Sequence, residues 1–243
     1  CKDKGFVWHD VPYGHPKFGK VERCRNPIHR NTRLEDKLSG LSDLRPEDMN
    51  LRLSDIAPIP GNEEMLAGCR RMLQNPRGWL YLWGGPGNAK TIALRAMCNE
   101  LAQLGFYPVV YIKFSRLIEI VRQARAAEFA RNEHFKKNGN LDLWDNGYLD
   151  TLTRLLKIKV LAIEEFDKAK VTEFVEAFRF DFLDERYEQG IRGETITMFA
   201  SQYHPSEFTE APLVSRFTSG KFIIAENKAG DARSSEVWED DNL

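Results

Sequence analysis

The chain has no long apolar run. Hydrophobic stretches such as Trp79–Trp83 and Val109–Ile112 fall far short of the roughly 20 residues a helix needs to cross a bilayer. No membrane span is expected, and no secretory leader is visible. Cysteine is scarce: Cys1, Cys24, Cys69 and Cys98 are spread through 243 residues, which excludes a disulfide scaffold as the basis of the fold. Cys69 and Cys98 fall within helical patterns and read as buried thiols, so a cytoplasmic setting is expected. Net charge is almost absent, at −1 from 35 basic and 36 acidic residues; no overall field draws the chain to a polyanion. Repeats and low-complexity tracts are absent too. What remains is an ordinary globular composition, suited to one large domain or a main domain with a small appendage. The first residue is Cys1 rather than methionine, and the chain is read as a piece of a longer one.

The charge that is present is unevenly placed. Residues 1–32 carry seven Lys/Arg against three acids, with many Gly, Pro, His and aromatic residues and no sustained helical period. They read as a small separate module. Residues 33–61 form a polar connector ending in Ala57-Pro58-Ile59-Pro60-Gly61, a turn-rich boundary. The main domain is expected over 62–228, followed by an acidic tail over 229–243, where a poorly ordered end is expected.

Within 62–228 the pattern alternates. Asn62 is a good N-cap for a helix with Met65, Leu66, Cys69, Met72 and Leu73 on one stripe. Strands are expected near Trp79–Trp83, Pro108–Phe114, Val160–Ile163, Thr195–Ala200 and Lys221–Ala225, separated by helical stretches. Five short strands alternating with helices predict a three-layer α/β/α domain around a mostly parallel sheet.

The first strand runs into Gly84-Gly85-Pro86-Gly87-Asn88-Ala89-Lys90-Thr91, which opens a helix. Strand, glycine-rich loop and helix with Lys-Thr at its start is the context of a phosphate-binding P-loop. Glycines let successive backbone N–H groups turn inward, and the helix N-terminus adds positive potential. ATP is the expected ligand, contacted by Gly85, Pro86, Gly87, Asn88, Ala89, Lys90, Thr91 and Ile92. Lys90 is expected at the β- and γ-phosphates, and the Thr91 hydroxyl at Mg²⁺. Ala89 stands where a glycine is expected.

A second signal is Val160-Leu161-Ala162-Ile163-Glu164-Glu165, an apolar strand ending in two acids. Beside a P-loop, Glu164 is placed on the metal and Glu165 on the attacking water. A solvated strand end is the competing reading of the pair taken alone. The third signal is Thr195–Ala200 capped by Ser201-Gln202. The fourth is Ser215-Arg216-Phe217 on a short helical piece before the last strand.

These four signals, in this order, resemble the AAA+ ATPases, and among them the DnaC/IstB-like helicase loaders and transposase helpers. Leu161-Ala162-Ile163-Glu164-Glu165-Phe166-Asp167-Lys168 is especially similar to phage-type DnaC-like proteins, as is Phe199-Ala200-Ser201-Gln202. The resemblance spans roughly residues 60–230. It implies that Gln202 senses the γ-phosphate and that Arg216 is an arginine finger acting on a neighbouring subunit. It also implies a ring or spiral of copies, DNA as ligand, and a replicative helicase or a transposase as partner. The family usually shows Gly at 89, Asp at 164 and Asn at 202; Glu164 and Gln202 leave a hydrolysis-poor, ATP-dependent adaptor as a further reading. No C-terminal helical lid is expected.

Two further segments take meaning from the resemblance. Residues 114–137 begin as an amphipathic helix and continue basic, with Arg116, Arg122, Arg125, Arg131, Lys136 and Lys137. The resemblance implies a surface that tracks DNA, single-stranded in this clade's loaders, through phosphate contacts; a solvated charged face is the competing reading. Residues 1–32 are similar to a small zinc-ribbon module. A tetrahedral site needs four ligands, yet Cys24 has Pro27 where its partner belongs, and a partner for Cys1 is expected before the first residue; His29 could substitute as a ligand, with His9 and His15 the alternatives nearby. A degenerate ribbon without a complete zinc site in this chain is expected.

Overall fold

The computed structural model describes residues 40–138 and 147–231, with 6–8, 11–12, 15, 17 and 21–23 nearer the start. There, β1 (Phe6–Trp8) and β2 (Val21–Arg23) pair antiparallel, Phe6 opposite Arg23. Of the histidines considered for zinc, His15 is described; it is exposed, and its Nδ1 accepts a hydrogen bond from the Lys17 backbone N–H. Cys1, His9, Cys24, His29 and the tail beyond Asp231 lie outside the described residues.

The main domain alternates as its hydrophobic periods dictate. In order come α1 (Glu63–Gln74), β3 (Gly78–Gly84), α2 (Lys90–Gln103), β4 (Val109–Lys113), α3 (Phe114–Lys137) and α4 (Gly147–Leu156). Then follow β5 (Val160–Glu164), α5 (Glu173–Ile191), β6 (Ile196–Ser201), α6 (Ala211–Phe217) and β7 (Ile223–Asn227). The five later strands form one sheet in the order β4-β5-β6-β3-β7, with every pairing parallel. The last strand starts two residues later than its apolar run suggests, because pairing with β3 begins at Leu80 opposite Ile223.

Strand residues alternate between two cores, as the two-residue pleat requires. Leu80 and Leu82 join Met65, Cys69, Leu94 and Met97 under α1 and α2. Trp79 and Tyr81 join Phe166, Phe178, Phe199 and Phe217 under α3, α5 and α6. The result is three layers, α/β/α, with the sheet's C-terminal edge left for the site. Arg186 of α5 is wholly buried in the second core. It donates to Thr197 Oγ1 (2.8 Å), the Ile158 carbonyl (3.0 Å) and the Ile196 carbonyl (2.9 Å), so α5 is fastened to the strands that carry the site. Burial without a carboxylate lowers its pKa to about 9.

Residues 40–61, read above as the end of a connector, lie against this domain. The Asp43 N–H donates to the Tyr111 carbonyl (2.6 Å), and Asp43 Oδ2 accepts from the Lys113 N–H (3.2 Å). The outer edge of β4 is thereby covered, as edge strands require. Farther along, Asp48 is buried and pairs with Arg95 of α2 (3.1 Å), and Asn99 donates to the carbonyls of Asp48 and Leu51. Asn62 does sit at the N-cap of α1, but its side chain turns back. Its Oδ1 accepts from the Ile59 N–H and its Nδ2 donates to the Ala57 carbonyl, which stiffens the turn rather than capping the helix.

Candidate functional site

The loop between β3 and α2 is built from backbone that L-residues avoid. Gly84 has φ +136° and Gly87 has φ +70°; a Cβ at Gly84 would collide with the Asn227 carbonyl, and one at Gly87 with the Asp231 carboxylate. Ala89 is also left-handed, at φ 66° and ψ 10°. That is why a glycine is expected there, and the alanine costs about 1–2 kcal/mol. Ala89→Gly is therefore expected to stabilise the fold by about 1 kcal/mol, read as a higher denaturation midpoint. An unchanged or lower midpoint would show that the loop gains from the methyl group.

Lys90 is buried. Its Nζ donates to the carbonyls of Gly84 (2.7 Å) and Gly85 (2.5 Å) and to Asn88 Oδ1 (2.8 Å). Asn88 in turn donates through Nδ2 to the Asn227 carbonyl (2.9 Å), which ties the loop to the end of β7.

β5 delivers both acids beside this loop. Glu164 is buried, and its Oε1 accepts from the Thr91 hydroxyl at 2.6 Å, while Oε2 accepts from the Tyr111 hydroxyl. Burial, then the hydrogen bond and charge of Glu164, raise the Tyr111 pKa well above the ordinary phenol value, so the hydroxyl stays a donor. The Arg95 guanidinium lies 5.2 Å from the centre of the Tyr111 ring. Nothing in the sequence signals Tyr111; it faces Glu164 only because β4 and β5 pair in the register that sets Tyr111 opposite Ala162 and Lys113 opposite Glu164.

Glu165 has φ 53°, a left-handed conformation at a non-glycine residue. Its Oε1 accepts from Lys168 Nζ (3.0 Å) and its Oε2 from Lys113 Nζ (3.3 Å). Burial pulls its pKa up, but the Lys168 hydrogen bond and the charges of Lys113 and Lys168 outweigh it and hold the carboxyl below the usual range. Glu165 is thus ionised at neutral pH.

A cavity of about 410 Å³ joins these parts. It is lined by Pro86–Ile92, Glu164, Glu165, Asp167, Lys168, Ala200, Ser201 and Gln202. Gln202 is present because β6 lies between β3 and β5; its backbone N–H donates to Asp167 Oδ1 at 3.2 Å. Among the described residues no group of three or more His, Cys, Asp or Glu side chains is placed to hold a metal. Two hard oxygens, Thr91 Oγ1 and Glu164 Oε1, suit Mg²⁺, which commonly takes one or two protein ligands and completes its shell with waters and phosphates.

No family model matches the sequence, and no curated protein does. Solved structures do match. AMPPCP-bound DnaA from Aquifex aeolicus superposes with a TM-score of 0.56 at 19% identity, covering 76% of this chain and 51% of that one. DnaI superposes with a TM-score of 0.55 at 16% identity, covering 79% of this chain and 98% of that one. The DnaC helicase loader superposes with a TM-score of 0.53 at 15% identity, covering 76% and 100%. The fold is the three-layer α/β/α fold that these DnaA, DnaI and DnaC structures share. This chain spans about half the length of the DnaA chains it matches (52%) and nearly the full length of the DnaI and DnaC chains.

On this frame the remaining candidates lie elsewhere. Arg216 of α6 is away from the cavity lining: it donates to Asp184 of α5 and to the Pro212 carbonyl (2.9 Å), with its guanidinium 5.1 Å from the Phe180 ring centre. On α3, Arg116 pairs with Asp43, and Arg122 and Arg125 lie over the Phe174 ring at 5.6 and 5.4 Å. Arg131, Lys136 and Lys137 are exposed toward its far end. Among the described residues no helix is long and apolar enough to cross a membrane.

Thr91 and Tyr111 each hold one oxygen of the Glu164 carboxylate, so Tyr111 fixes the oxygen that Thr91 does not. Tyr111→Phe is expected to weaken the Mg²⁺ dependence of nucleotide binding about tenfold, leaving Mg²⁺-free binding unchanged. An unaltered Mg²⁺ titration would remove that role.

Proposed function

We propose that this chain is an ATP- and Mg²⁺-dependent AAA+ ATPase that assembles side by side with copies of itself, grips single-stranded DNA and loads a replicative helicase. The observation that carries the ATPase reading is the convergence of Lys90, Thr91, Glu164 and Glu165 on one cavity at the C-terminal ends of parallel strands. The loader reading is supported by the likeness to DnaC and DnaI, whose chains are matched almost end to end. DNA is supported by a likeness to a replication initiator solved with AMPPCP and single-stranded DNA.

In this reading Lys90 swings from its own loop's carbonyls to the phosphates, exchanging neutral acceptors for charged ones. Thr91 and Glu164 would hold Mg²⁺, which when bound would supply charge neutralisation to the phosphates. Glu165 orients the attacking water, and Gln202 reaches the same space. Arg216 serves the neighbouring copy, for which it must leave Asp184. The cationic face of α3 meets DNA phosphates.

One observation favours slow turnover in the isolated chain, the adaptor-like reading. Glu165 is gripped by two lysines and sits in a strained conformation. The deciding experiment is steady-state ATP hydrolysis with and without single-stranded DNA, alongside Arg216→Ala. DNA-stimulated turnover, reduced about 10³-fold by the substitution in the assembled protein, is the expected result. Tight ATP binding with no turnover under either condition would replace the motor with an ATP-gated adaptor.

A further inference from the structure

The end of the sheet opposite the P-loop carries a second recess. It lies where β3 and β7 begin and where α1 and α5 end, and has a volume of about 540 Å³. β3 is seven residues long, which puts the recess roughly 20 Å from the phosphate loop at about 3.3 Å per residue. Three cations line it: Arg71 from the last turn of α1, Arg77 just before β3, and Lys221 just before β7. No aspartate or glutamate is among the lining residues.

Several cations elsewhere in the domain have an acidic partner: Arg95 with Asp48, Arg116 with Asp43, Arg179 with Glu210, Arg192 with Glu194, and Arg216 with Asp184. Among the described residues Arg71 and Arg77 make no ion pair or side-chain hydrogen bond, and Lys221 meets only the face of Tyr187, at 5.7 Å. Three neighbouring positive charges in a concavity repel one another unless an anion lies between them.

The floor is aromatic and close-packed. Trp79 and Phe222 stack at 5.3 Å, and Tyr187 meets Phe222 edge-on at 5.3 Å. Phe222 is only half-buried. The indole Nε1 of the buried Trp79 has no hydrogen-bond partner. Gly78 and Gly190 cross so tightly that a Cβ on Gly190 would come within 3.0 Å of the Gly78 Cα, which lowers the floor and opens the recess. Gln74 and Asn75 add amide groups at the rim.

Cations that hold phosphates, a ring on which a base stacks and rim amides that bond base edges together describe a site for single-stranded nucleic acid. A recess of this size takes one nucleotide or a nucleotide-sized step of a strand. We infer that Arg71, Arg77 and Lys221 form a second contact with single-stranded DNA, at the end of the sheet away from the P-loop and apart from α3. The inference rests on the proposed DNA-binding reading and gives it a second surface.

The test uses the whole chain and a fluorescent oligothymidylate, with anisotropy titrations at several salt concentrations. Arg71→Gln, Arg77→Gln and Lys221→Gln are combined in one variant. All three side chains are exposed, so unfolding midpoint and ATP affinity are expected to match the unaltered protein. Affinity for the oligonucleotide is expected to fall at least about tenfold at physiological salt. The slope of log affinity against log salt is expected to shrink by about 2, near 0.7 for each lost single-strand contact. Phe222→Leu reports stacking separately and is expected to lower affinity with no change in slope. Unchanged affinity and slope in the triple variant, with binding lost on neutralising Arg122 and Arg125, would overturn the recess and leave the DNA reading standing. No oligonucleotide binding by the unaltered chain would overturn both.

Discussion

Glu165→Gln is expected to lower ATP turnover about 10²–10⁴-fold, the range removed when a positioned general base is lost, while ATP binding persists. Geometry separates the two effects. Glu165 lies at the cavity wall with Lys113 and Lys168 on its two oxygens, whereas the Thr91–Glu164 pair is built by other atoms. The substitution keeps the shape and removes the charge. It therefore also leaves Lys113 and Lys168 without their carboxylate, and the cavity becomes more positive. Nucleotide affinity is expected to stay level or rise, which a merely structural defect would not produce. Turnover that survives the change would place the water-activating group elsewhere, with Asp167 the carboxylate on the cavity lining besides Glu164 and Glu165.

Lys90→Ala is expected to weaken ATP binding about 100-fold or more, since hydrogen bonds to a charged group are worth about 1.5–3 kcal/mol each. A second consequence is specific to this chain. In the ligand-free protein the Lys90 ammonium draws together the Gly84 and Gly85 carbonyls and Asn88 Oδ1. Without it those acceptors face one another unpaired, so a lower unfolding temperature is expected as well. Lys90→Met, which fills the volume without the charge, separates the two losses. Binding calorimetry showing unchanged ATP affinity in both variants would remove the nucleotide assignment.

The sheet was legible because both its faces are covered: strands such as Val160–Ile163 read as unbroken apolar runs bounded by turns, and the period changes where helices begin. The loop was legible for a different reason, since Gly84, Gly87 and Lys90 serve local backbone geometry and lie close together in the chain. Partners set by strand register were not legible. Tyr111 and Lys113 lie more than 50 residues from the acids they hold, and only the pairing of β4 with β5 brings them there. The docking of residues 40–56 was hidden for a similar reason. Its composition is polar, and its role depends on single buried groups such as Asp48 and Leu53 finding partners on α2. The pairing of Arg216 with Asp184 likewise depends on how α5 and α6 pack, which neither helix states alone.

The strap formed by residues 40–56 is linked by side-chain contacts to both acids of the site. Asp43 grips the backbone beside Lys113, and Asp48 grips Arg95, whose guanidinium lies over the ring of Tyr111; Lys113 touches Glu165, and Tyr111 touches Glu164. Each end of the strap is therefore one side chain removed from one of the two acids. A tug on the N-terminal segment would load both acids together, as a bridle loads both sides of a bit.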